Sequence, residues 1–370
     1  MKKILVVYGT RPEAVKMCPL VLELKKCADF DTRVCVTGQH REMLKMVNEA
    51  FSVTPDFDLD IMQKSQTITE ITVRILEKLA PVLTEFAPDL VLVHGDTTTS
   101  FAAALAAFYH QIPVGHVEAG LRTGDKYSPF PEEQNRTLTG HIAALHFCPT
   151  QANRQNLHTE NITSGITLTG NTVIDALHTT VREDYAFTTP GLSGFIGGNR
   201  LILLTAHRRE NIGEPMERIF AAVRTLADTF EDVRIVYPVH PNPKVLEPAN
   251  RLLSGHPRIL LTEPMDVLEM HNAMARAYLV LTDSGGLQEE APALGKPVLV
   301  LREETERPEA VDAGTVLLAG TKSEQILSIA KTLLSDKTAY DAMAKAVNPY
   351  GDGHACERIS AAISAYFDRR

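Results

Sequence analysis

Tryptophan is absent from this chain and aromatic residues are scarce, at 6%. Positive charge is also in deficit. A net charge of −9 argues against nonspecific binding to nucleic acid or to an anionic membrane, although local basic clusters can still hold an anionic small molecule. Met1-Lys2-Lys3 leads only into a short apolar run that stops at Gly9, and no stretch approaches the ~20 apolar residues that span a bilayer. The five cysteines, Cys18, Cys27, Cys35, Cys148 and Cys356, show no C-x-x-C spacing. An odd, scattered set fits a reducing cytoplasm better than a disulfide framework or structural zinc.

Several catalytic signatures are missing as well. No G-x-G-x-x-G follows the first apolar run and no Tyr-x-x-x-Lys occurs, which excludes the nicotinamide-dependent sugar epimerase and dehydrogenase patterns. Gly295-Lys296 imitates the end of a P-loop but is followed by Pro297. H-E-x-x-H and G-x-S-x-G are absent. The chemistry must then come from acids, bases and the substrate itself, with no NAD and no metal.

What is present is a repeating βαβ rhythm. Ile4 to Tyr8 is a continuous apolar strand stopped by Gly9-Thr10, and Pro12-Glu13 opens a helix to about Lys26. Strands without polar alternation recur at Val34–Thr37, Leu90–Val93 and Pro113–Val117, as in a parallel sheet covered on both faces. Helices are expected over 41–50, about 67–86 and from Ala102 to Phe108. The rhythm loosens between Asn171 and Gly198 and restarts at Leu201–Leu204. Further strands fall near 233–237, 258–261, 278–281, 297–301 and 315–318, alternating with helices near 214–229, 243–253, 265–276 and 286–294. The fold class is therefore α/β, with two doubly wound Rossmann-like domains and a ligand site in the cleft that they face. We place the first domain at 1–170 and the second at 171–354, and expect the helical stripe Ile359, Ala362, Ile363 and Phe367 in segment 355–370 to return to the first.

The organising stretch is Thr282-Asp283-Ser284-Gly285-Gly286, a strand end and tight turn ahead of a helix. Glycines and helix-start N–H groups make such a turn a natural phosphate site, although a buried turn that binds nothing has the same signature. Glu290, one turn on, suits a neutral hydroxyl such as a ribose better than a phosphate. Polar groups cluster at other strand ends. Arg11 and Lys16 follow the first strand, and Thr205-Ala206-His207-Arg208 ends the first strand of the second series. Singly each basic residue reads as surface charge or packing; together at carboxyl ends they suit a diphosphate. Asp96 reads equally as an N-cap for the helix beginning at Thr97 or as a reactive acid. Glu118 follows a buried strand and faces a ligand more readily than a solvated loop. Glu132 and Glu133 open a helix after Pro131, where the helix dipole alone accounts for acids. The polar loop Arg122–Phe130 before them suits a site loop.

Taken together, Gly9-Thr10-Arg11-Pro12-Glu13, Gly38-Gln39-His40-Arg41, His94-Gly95-Asp96-Thr97-Thr98, His116-Val117-Glu118-Ala119-Gly120-Leu121-Arg122, Pro131-Glu132-Glu133-x-Asn135-Arg136, Gly170-Asn171-Thr172, His207-Arg208-Arg209-Glu210, Asp283-Ser284-Gly285-Gly286-x-Gln288-Glu289-Glu290 and Thr305-Glu306-Arg307-Pro308-Glu309 closely resemble the non-hydrolysing UDP-N-acetylglucosamine 2-epimerases. The resemblance spans almost the whole chain. It implies a glycosyltransferase-B-like fold and interconversion of UDP-N-acetylglucosamine with UDP-N-acetylmannosamine through 2-acetamidoglucal, without nicotinamide or metal. It implies Asp96, Glu118 and Glu132 as catalytic acids, with His207 near the leaving group, and takes Glu132 rather than Glu133 from the motif. Arg11, Lys16, Ser284, Gly285, Gly286, Glu290 and Arg307 become UDP contacts. The segment Glu263–Met270 resembles the uracil pocket, with Met265 and Met270 lining it. Met270 stands where some members carry an aromatic residue, so packing on the ring replaces stacking. The resemblance further implies a cytoplasmic homodimer and a second UDP-N-acetylglucosamine as activator near Gln39, His40, Gln66, Arg208 and His240. Rival readings are an inverting glycosyltransferase of the same fold, a hydrolysing relative and a catalytically silent nucleotide-sugar sensor.

Overall fold

The computed structural model describes residues 1–38, 41–63 and 65–369. They divide into two compact units, Met1–Thr179 with Tyr350–Arg370 and Thr180–Pro349. In the first unit, strands β1 (Lys2–Tyr8), β2 (Phe30–Val36), β3 (Phe57–Asp58), β4 (Leu90–His94), β5 (Val114–Val117), β6 (Leu145–Cys148) and β7 (Ile166–Leu168) alternate with helices. These are α1 (Arg11–Lys26), α2 (Arg41–Ala50), α3 (Ile68–Phe86), α4 (Thr98–Tyr109), α5 (Glu132–Ile142), α6 (Gln151–Thr159) and α7 (Thr172–Thr180), the last residue of which opens the second unit. All pairs are parallel, in the order β3-β2-β1-β4-β5-β6-β7. Ile4 to Tyr8 and all of β4 are buried, as expected of strands covered by helices on both faces.

Local chemistry sets the helix starts. Thr67 accepts from the Glu70 amide at 3.2 Å while Glu70 accepts from the Thr67 amide at 2.7 Å, a reciprocal cap that begins α3. Thr97 caps α4 in one direction only, accepting from Ser100 N at 3.1 Å. Asp96 is therefore not the cap, and that reading of it is corrected: the strand-to-helix turn puts the cap one residue later.

In the second unit, β8 (Arg200–Thr205), β9 (Val233–Pro238), β10 (Ile259–Thr262), β11 (Ala277–Thr282), β12 (Val298–Val300) and β13 (Val316–Leu318) form a parallel sheet ordered β10-β9-β8-β11-β12-β13. Its helices are α8 (Leu192–Ile196), α9 (Glu214–Thr229), α10 (Pro243–Leu253), α11 (Val267–Arg276), α12 (Leu287–Ala293), α13 (Pro308–Asp312), α14 (Ser323–Ser335) and α15 (Lys337–Ala344). One core joins strand residues such as Leu204, Ile235 and Leu281 to Phe220 and Val223 of α9 and Ile326 of α14.

The last helix, α16 (Ala355–Asp368), belongs to the first unit. It buries Ile359 and Ile363, and its Phe367 ring meets Phe30 edge-on at 6.4 Å. Asp175 of α7 accepts from the Ala355 and Cys356 amides at 3.1 and 2.8 Å, satisfying the helix start. Among the described residues no helix is long and apolar enough to cross a membrane, and no group of three or more His, Cys, Asp or Glu could hold a metal ion.

The first sheet also buries three imidazoles on neighbouring strands, His94, His116 and His146. Burial pushes them down to about 4, about 3 and about 4. Unfolded histidine titrates near ~6.5. As pH falls below that value the unfolded chain takes up protons that the fold refuses. Each histidine's contribution is thus intact above ~6.5 and drains by up to ~1.4 kcal/mol per pH unit on the way to its folded value. Asp96, which burial raises to about 6, works in the opposite direction but alone. The urea midpoint is expected to fall between about pH 7 and about pH 5; a flat or rising midpoint would show that the three rings are not held neutral.

Candidate active site

In the first unit the expected residues converge on the carboxyl ends of three adjacent strands, β1, β4 and β5. The turn after β1 is tied to the turn after β4 by Glu13, which is 1% exposed. Its Oε2 accepts from the Gly9 and Thr10 amides at 3.0 and 2.7 Å, and its Oε1 from the Thr97 and Ser100 hydroxyls at 2.7 and 2.9 Å. Gly9 must be glycine there, because a Cβ would lie 2.0 Å from Thr37 Oγ1.

Beyond this brace stand the acids. Asp96 follows β4, with Arg136 Nη1 3.6 Å from its Oδ2 and its backbone carbonyl held by Asn135 Nδ2 at 3.0 Å. Burial lifts its carboxyl to about 6; Arg136 opposes the rise, and Glu118 and Glu132 add to it. Glu118 and Glu132 therefore lie close enough to Asp96 to strengthen its hold on a proton. Glu118, after β5, sits at φ +61, a left-handed backbone that a non-glycine residue adopts at some cost in strain. Its Oε2 accepts from Lys16 Nζ and from Asn171 Nδ2, the latter at 2.8 Å, and His94 Nε2 lies 3.7 Å away. Lys16, read as a cation for a diphosphate, is thus also the ion-pair partner of an acid.

Glu132 and Glu133 part ways at the start of α5. Glu133 is buried, pairs with Arg136 Nε at 2.8 Å and accepts from the Thr123 and Gly124 amides at 3.0 Å, so it pins the loop after Arg122. Glu132 is half-buried and acts electrostatically on Asp96. Within the loop that Glu133 pins, Tyr127 and Phe130 are exposed.

In the second unit the ends of β8 and β11 meet through the Thr205 and Thr282 hydroxyls, 2.6 Å apart. Asp283, fully buried, is the hub. Its Oδ2 accepts from the His207 and Arg208 amides at 2.8 Å each and from Asn211 Nδ2 at 3.0 Å, while Oδ1 lies 3.4 Å from His207 Nδ1. The carboxylate bears on the ring through its charge from that side. Burial lowers the His207 imidazole, with His240 and Arg208 helping and Asp283 resisting. The His240 ring stacks on His207 at 5.7 Å.

The Ser284-Gly285-Gly286 turn leads into α12. Ser284 N donates to Thr282 Oγ1 at 2.9 Å, and a helix start leaves its first N–H groups without intrahelical acceptors. A Cβ at Gly286 would meet Glu290 Oε1 at 3.0 Å. Glu290 Oε2 lies 3.2 Å from His271 Nε2, and Arg307 is paired with the buried Glu289. Met265 is buried and Met270 half-buried on either side of the α11 start, which Asp266 caps. Burial would raise Glu306, but Arg302 and Arg208 hold it down at about 2. Arg11 stands at the first position of α1. Of the expected activator residues, Gln39 and His40 lie outside the described residues. Gln66 lies ahead of α3, bound to Arg74, in the first unit, whereas Arg208 and His240 are in the second.

A model of the family described as UDP-N-acetylglucosamine 2-epimerase matches residues 22–364. The chain belongs to that family. It is 58% identical over 358 residues to the UDP-N-acetylglucosamine 2-epimerase of Bacillus subtilis, covering 96% of this chain and 93% of the relative. Identity to the Escherichia coli UDP-N-acetylglucosamine 2-epimerase is 56% over 370 residues, 98% of each. The solved UDP-N-acetylglucosamine 2-epimerase of Neisseria meningitidis bound to UDP-N-acetylglucosamine superimposes with a TM-score of 0.87 at 47% identity, covering 98% of this chain and 100% of that one. The two Rossmann-like sheets are those of this α/β epimerase fold.

Reading the sequence for 2-epimerase motifs finds the acids but passes over what holds them. Glu13, Asn171 and Asp283 all stand inside the motifs, yet their roles depend on partners 53 to 87 positions away. Asp283 carried one local signal, an acid placed directly after an apolar strand. His271 carried none.

Proposed function

We propose that the protein interconverts UDP-N-acetylglucosamine and UDP-N-acetylmannosamine by elimination and re-addition. A carboxylate removes the proton at sugar C2 while the C1–O bond to UDP breaks, leaving a C1=C2 double bond in 2-acetamidoglucal. In return, a UDP oxygen bonds to C1 and C2 is protonated on the opposite face. The observation that carries this reading is the cluster of Asp96, Glu118 and Glu132 in a chain of this family, with Asp96 raised to about 6, close to where a proton is both taken and given at neutral pH. A glycosyltransferase needs only one base; three acids suit an epimerase.

His207 serves the departing diphosphate, and Arg11, Lys16, Ser284, Gly285, Gly286, Glu290 and Arg307 hold UDP, with Met265 and Met270 at the uracil. On this reading residues 1–170 with 355–370 carry the acids together with Arg11 and Lys16, and 171–354 carry the remaining nucleotide contacts. Elimination and re-addition move a proton and UDP with no hydride step, so this route calls for no nicotinamide, and we assign it no metal. We place the protein in the cytoplasm as a homodimer, with a second UDP-N-acetylglucosamine activating it near Gln39, His40, Gln66, Arg208 and His240.

Incubation of UDP-N-acetylglucosamine with the protein in D₂O, followed by NMR, tests the reaction. Deuterium at C2 of recovered UDP-sugar and a manno product are expected; neither exchange nor epimer would sink the proposal.

A further inference from the structure

His271 uses both ring nitrogens although it is only 3% exposed. The Thr180 hydroxyl, itself fully buried, lies 2.7 Å from Nδ1, and Glu290 Oε2 lies 3.2 Å from Nε2. Thr180 is fixed in turn, because its carbonyl accepts from Asn272 Nδ2 at 2.8 Å. A neutral imidazole has one donor and one acceptor. Beside the Glu290 carboxylate, Nε2 carries a proton and donates to Oε2, while Nδ1 faces the threonine hydroxyl. The other carboxylate oxygen, Glu290 Oε1, reaches back over the Gly286 turn, 3.0 Å from where a Cβ there would sit.

The geometry points to His271 as a positioning residue for Glu290. It occupies Oε2 and so aims Oε1 over the turn as an acceptor for a neutral hydroxyl, which makes the nucleotide site selective for a ribose that has its 2′ and 3′ hydroxyls. This rests on the reading of Glu290 as a nucleotide contact. A carboxylate beside a diphosphate turn is repelled by the phosphates unless something fixes where it points. The Thr180–His271 pair supplies that constraint from outside the turn.

The test compares binding of UDP and 2′,3′-dideoxy-UDP by calorimetry. The native protein is expected to favour UDP by ~10-fold or more, since a site built to bond a hydroxyl rejects the analogue without it. Glu290→Ala should erase that preference; if it does not, the reading of Glu290 falls and this inference with it. His271→Leu and His271→Met remove the donor and should shrink the preference to roughly twofold, while His271→Gln, whose amide can both donate and accept, should keep most of it. If Glu290→Ala erases the preference but a folded Leu or Met variant retains it, the positioning role alone is overturned. A merely structural histidine would weaken both ligands equally and leave their ratio unchanged.

Discussion

Asp96→Asn is expected to cut turnover and C2 deuterium exchange by ~10²–10⁴-fold while UDP still binds. Asparagine keeps the size of the side chain and an oxygen for Arg136 but can neither take nor release a proton. Because burial raises Asp96 to about 6, a limb near that pH should appear in the native rate profile and vanish in the variant. A base must be ionised, so the limb falls on the acid side if Asp96 abstracts the proton; a fall on the alkaline side would make it the acid. The stability sign separates chemistry from misfolding. A carboxyl raised above its unfolded value of ~3.8 is fully favourable below that value and loses its contribution as pH rises through about 6. The neutral amide is free of that penalty, so the variant should be at least as stable as the native protein near pH 7. Retention of most activity would remove Asp96 from the reaction.

Asp283→Asn is expected to lower kcat/KM by ~10²-fold or more, because an amide in place of a carboxylate changes which nitrogen of a supported histidine carries the proton. If the asparagine oxygen keeps the three donors now on Oδ2, its NH₂ faces His207 Nδ1 and donates to it. The ring is then held with Nδ1 as acceptor and loses the charge that favours an imidazolium. Asp283 is the group that resists the lowering of His207 by burial, His240 and Arg208. The His207 titration, followed by NMR, should therefore move further down in the variant. Asp283→Ala goes beyond this, leaving the half-buried amides of His207 and Arg208 without this acceptor, at up to ~1–3 kcal/mol each. An unchanged His207 titration in Asp283→Asn would show that the carboxylate does not govern the ring.

Much of this molecule could be read in advance. The strand at Ile4 to Tyr8 and the helix from about Pro12 to Lys26 are local events, an unbroken apolar run followed by an N-cap and an early proline, and they occur where expected. The second series of strands, from Arg200–Thr205 to Val316–Leu318, was legible for the same reason. Less legible was the choice between neighbours of similar chemistry. Glu132 and Glu133 carry the same signal, and only the fold turns Glu133 inward to the Thr123 and Gly124 amides. Thr97 rather than Asp96 caps α4, a difference of one residue in a turn.

What residue order determined by itself was the alternation of parallel strands and helices, the polar groups at the strand ends and the family they resemble. These depend on side-chain period and on residues close in the chain. Tertiary structure alone decided the partners: Glu13 with Ser100, Lys16 with Glu118, Asp175 with the start of α16, Asp283 with His207, and Thr180 with His271. Each pair joins residues far apart in sequence, and a buried charge or imidazole takes its proton affinity and its direction from whatever the fold brings against it.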